Sequence, residues 1–117
     1  MEEILDLARA LGRAIASHPR FKTYREAARR LHDDAEARQA LDAYNQAAAG
    51  IAEKEENAQP VEVAEKREFE DRRAKVASNE TVKAFMRAQA DYAELMRGMN
   101  DAIYGELGLP EETADDA

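Results

Sequence analysis

Apolar residues recur at intervals of three and four along nearly the whole chain, the spacing that lines one face of a 3.6-residue-per-turn helix. Ile4, Leu7, Leu11 and Ile15 form the first such stripe and predict a helix over Glu2 to Ala16. Glu2, Glu3 and Asp6 stand near its start, where the helix dipole favours negative charge. Pro19 interrupts the pattern, because the residue before a proline avoids helical backbone angles. Proline itself suits a first helical turn, which needs no amide donor. A second helix is therefore predicted from Pro19 to about His32, with Phe21, Tyr24, Ala28 and Leu31 as its stripe.

Asp33-Asp34-Ala35-Glu36 restarts the chain, with Asp33 the expected cap and Glu36 three residues on, at capping-box spacing. The third helix is predicted to run to about Glu56, with Ala37, Leu41, Tyr44, Ala48 and Ile51 turned inward. Asn57 to Pro60 breaks it. A fourth helix, about Val61 to Ala77, has a weaker pattern, since Lys66, Arg67, Arg72 and Arg73 crowd among Val63, Phe69 and Val76. Their aliphatic stems can cover apolar surface while the charges stay in water. Asn79 caps the predicted fifth helix, which continues to about Leu107 and stops near Gly108 and Pro110. Its broad face reads Val82, Phe85, Gln89, Tyr92, Met96, Met99 and Ile103. A narrow stripe of small residues, Ala84, Ala88, Gly98, Ala102 and Gly105, runs beside it, interrupted by Asp91 and Leu95.

The expected fold is all-α, a bundle of about five helices with long third and fifth members. One helical domain is expected over residues 1–109, and a disordered acidic tail over 110–117. A compact domain of this length spans about 35 Å. The fifth helix, at about 1.5 Å per residue, is roughly 42 Å long. Its short neighbours within one compact chain do not cover that length. The expectation is therefore a homodimer or higher assembly, with Tyr92, Met96, Met99 and Ile103 in the interface. Gly98 costs roughly 1 kcal/mol against alanine inside a helix, which close approach by another helix would offset.

Composition narrows the function. The 117 residues carry a net charge of −8, and the imbalance is uneven. The first 32 residues are net basic, the remainder strongly acidic. Nucleic-acid binding is disfavoured overall, because an acidic chain repels phosphates. There is no apolar run of membrane-spanning length and no signal-peptide pattern at Met1, so the cytoplasm is the expected compartment. The absence of cysteine excludes disulfides, thiolate metal sites and cysteine-held clusters.

Candidate chemistry is sparse. His18 and His32 sit at helix boundaries, where an exposed or capping role is the ordinary reading, and no Glu-x-x-His pair accompanies them. Consecutive acids such as Glu55-Glu56 and Glu70-Asp71 point apart around a helix. The glycines are scattered singly, so no phosphate-binding loop is formed, and Ser17 and Ser78 read as boundary residues. No catalytic, cofactor-binding or metal-ligating residues are assigned, and no enzyme is expected. The one unusual charge feature is Arg20, Lys22, Arg25, Arg29 and Arg30 on the second helix, against the single acid Glu26. The patch is a candidate dock for an acidic protein surface. The alternatives are an RNA-associated role, or pairing of these cations with the chain's own acids. RNA readers interleave aromatics with basic residues for base stacking, whereas Phe21 and Tyr24 fall on the buried stripe.

The order of segments resembles the bacterial YlbF/YmcA family of small helical regulators over about residues 2–107. The matching marks are Ala8, Leu11 and Ile15 in the opening helix and Phe21-x-x-Tyr24 with Ala28 and Leu31. Asp34-x-Glu36-Ala37 leading to Leu41 and Tyr44 follows, then Asn79-x-x-Val82-x-x-Phe85. The resemblance implies a non-catalytic regulator or adaptor that self-associates or pairs with a related helical protein. It also implies membership of a larger, ribonuclease-containing complex that modulates RNA processing. Relatives that bind iron–sulfur clusters do so through cysteines, which this chain lacks, so no cofactor is expected.

Overall fold

The computed structural model describes residues 1–110; the acidic tail expected at the C-terminus lies, from residue 111 on, outside the described residues. Five α-helices follow one another: α1 Glu2–Ala16, α2 Pro19–Asp33, α3 Ala35–Glu56, α4 Val63–Ser78 and α5 Glu80–Leu107. No strand occurs among the described residues, so the fold is all-α as the periodicity predicts.

Each boundary has a local cause. His18 begins α2 by accepting the Arg20 amide on Nδ1 at 3.1 Å. One expectation is corrected at α3: Asp34, not Asp33, is its cap. Asp34 has extended backbone angles and its Oδ1 accepts the Ala37 amide at 3.0 Å, while Asp33 completes the last turn of α2. The end of α3 is closed by Ala58, whose φ of 53° is left-handed, with the Gln59 amide reaching back to the Lys54 carbonyl at 2.7 Å. This is the Schellman arrangement, built here on alanine where glycine is usual. The start of α4 falls at Val63, two residues later than its apolar pattern suggests. Glu65 accepts the Glu62 amide at 3.2 Å and so fixes the entry there. Asn79 caps α5 through the Val82 amide at 3.0 Å. Gly108, with φ 72°, ends it as the Leu109 amide returns to the Tyr104 carbonyl at 3.0 Å.

The chain forms two compact units, one of Met1–Glu26 with the chain from Arg87 onward, the other of Ala27–Met86. α2 and α5 contribute to both. In the second unit the core is Ala37 and Ala40 of α3, Val76 of α4 and Val82 of α5. Leu31, Leu41 and Tyr44 pack against it, and the Tyr44 and Phe69 rings lie 5.5 Å apart. Polar links join its helices. Thr81 donates to Asp34 Oδ2 at 2.8 Å, Arg72 donates to the Ala43 carbonyl at 2.9 Å, and Lys54 pairs with Glu65. Small side chains at Ala37 and Ala40 leave room for α4, whose own apolar pattern supplies only Val76 as a buried residue. In the first unit Phe21 and Tyr24 of α2 meet Tyr92 of α5. The Tyr24 and Tyr92 rings stack at 4.9 Å, and Phe21 lies tilted at 5.7 Å.

Candidate interaction surface

Amphipathy and burial disagree on α1. Ile4, Leu7, Leu11 and Ile15 share one side, with Leu5, Ala8 and Gly12 beside them, and the charged Glu2, Asp6, Arg9 and Arg13 fall opposite. Asp6 and Arg9 pair at 2.9 Å on that outer side. A segregation this sharp ordinarily marks a core-facing helix, yet no residue of α1 is buried. Ile4 is 66% exposed, Leu7 68% and Leu11 38%. The stripe is legible in the sequence, but periodicity identifies an apolar face without saying what covers it. For that reason sequence reasoning placed the open surface on the fifth helix alone.

The four residues expected at an oligomer interface separate in their surroundings. Tyr92 is engaged within the chain by Tyr24 and Phe21. Met96 and Met99 are half-buried. Ile103 is 42% exposed, and Leu107 one turn further on is 63% exposed. Within the expected interface stripe, the open part of α5 is thus its last two turns. Gly98 and Gly105 have clear space where a Cβ would stand, so no close approach within the chain requires either glycine.

The five cations of α2 are all exposed. Arg20 reaches the Asp91 carbonyl at 3.5 Å and lies 3.9 Å from Glu94, Arg25 stands over the Phe21 ring at 5.8 Å, and Arg29 lies 3.7 Å from Asp33. Arg30 also has an interaction with the rest of the chain. Exposed pairs of this length contribute little stability. They do set Arg20 and Arg29 near acids of the same chain, and the aromatics beside them are already stacked on Tyr92.

Between α3 and α4 lies an open groove of about 430 Å³, lined on its polar side by Glu36, Gln39, Glu68, Asp71, Arg72 and Lys75. Its lining mixes three acids with two bases and selects no ligand class. Two carboxyl groups are held below their ordinary values: Asp34 by the Ala37 amide and then the Thr81 hydroxyl, Glu65 by Lys54 and then the Glu62 amide. Both causes are helix capping and tertiary linkage. Among the described residues no three His, Asp or Glu are grouped to hold a metal ion, and no helix is long and apolar enough to cross a membrane.

Fold and surface together describe a small all-helical protein whose most distinctive feature is an open apolar helix face. Residues 4–107 match the family model described as control of competence regulator ComK, YlbF/YmcA, and the chain belongs to that family. Its family is one of regulators of competence control. Neither the curated proteins nor the solved structures contain a match.

Proposed function

We propose that the protein is a non-catalytic regulatory adaptor that acts by docking other helical protein surfaces on α1 and the end of α5. One observation carries this reading: a strongly amphipathic helix whose apolar side has Ile4 and Leu7 about two-thirds exposed. Contiguous apolar surface on a soluble chain marks an interaction site more often than it marks wasted area. Membership of a family of competence-control regulators supports a regulatory role, and the larger assembly proposed for it is one that modulates RNA processing. A direct RNA-binding role on α2 is the weaker alternative, because Phe21 and Tyr24 stack on Tyr92 and are not free to stack on bases.

Affinity purification from the native host tests the reading. Tagged wild-type chain is expected to retain a defined protein partner through nuclease treatment and moderate salt. The Ile4→Glu/Leu7→Glu double variant is expected to lose it while keeping its helical circular dichroism. Partner recovery that vanishes with nuclease or falls steeply with salt would favour the RNA alternative instead.

A further inference from the structure

We draw no further inference here: the strongest candidate, the open groove between α3 and α4 with Ala40 and Ala43 among its lining residues, has its Glu68 and Arg72 already paired with each other at 2.7 Å, and nothing in the structure shows what covers it.

Discussion

Val82 is the largest fully buried side chain of the second unit, with 0% of its surface exposed, and its amide is also the one that Asn79 caps. Val82→Ala keeps the capped amide and removes only two methyl groups. At about 0.8 kcal/mol per buried methylene equivalent, the lost transfer energy is about 1.6 kcal/mol. A vacated space of about 40 Å³, at about 24 cal/mol per Å³, adds about 1 kcal/mol if the neighbours do not relax. The surrounding residues are Ala37, Ala40 and Val76, whose short side chains cannot swing inward to refill the space. The whole cost of about 2.5 kcal/mol is therefore expected. For a unit of this size it corresponds to a fall in melting temperature of roughly 10–15 °C. Urea unfolding followed by circular dichroism is expected to show a lower midpoint with an unchanged slope. Val63→Ala, at a site 66% exposed, is the control and is expected to change stability by less than about 0.5 kcal/mol. A Val82→Ala loss no larger than the control's would refute the packing argument.

Three further outcomes follow from local geometry. Ala58→Gly relieves the left-handed backbone at the end of α3 and is expected to raise stability by about 0.5 kcal/mol, net of glycine's greater unfolded-state entropy; a loss would show that Ala58 makes a compensating contact. Asp34 and Glu65 have folded pKa values below their ordinary 3.8 and 4.5, so their stabilising contribution is complete above those values and disappears as pH falls through the lowered ones. Stability is thus expected to be insensitive to these groups near neutral pH and to decline below about pH 4.5. Asp34→Asn, which still caps but cannot titrate, is expected to soften that decline, and an identical acid profile for the variant would remove Asp34 from the explanation. Arg25→Glu/Arg29→Glu is expected to leave the fold intact and partner binding within threefold of wild type by titration calorimetry, whereas a loss beyond tenfold would make the α2 cations a contact site.

Much of this fold is written in its interruptions. Pro19, Asn57 to Pro60, Asn79 and Gly108 each lack a donor, permit unusual backbone angles or supply a cap, and the helices begin and end where these residues allow. The boundaries of α1 and the ends of α3 and α5 are read correctly for that reason. Adjacent caps are harder. Asp33 and Asp34 have the same chemistry, and the tertiary bond from Thr81 to Asp34, which no local pattern reveals, helps distinguish the one that turns out of the helix. Burial is less legible than helicity. Ala40 is buried with Ala37 at helical spacing from Tyr44, but its small side chain gives a weak apolar signal beside Leu41 and Tyr44. Conversely, α1 has the most sharply segregated stripe in the chain and buries nothing. A hydrophobic pattern encodes the demand for a partner surface, and it cannot tell whether the same chain or another one supplies it.

The central claim is that this regulator works through the apolar side of α1, not through catalysis or the basic side of α2. Complementation in the native host tests it most directly. A strain lacking the chain is supplied with wild type, Ile4→Glu/Leu7→Glu or Arg25→Glu/Arg29→Glu at matched protein levels, and reversal of the transcriptional changes caused by the deletion is measured. The account predicts full restoration by wild type and by the α2 variant, and a response from the α1 variant no different from the empty vector. Restoration by the α1 variant, with the α2 variant inactive, would contradict it.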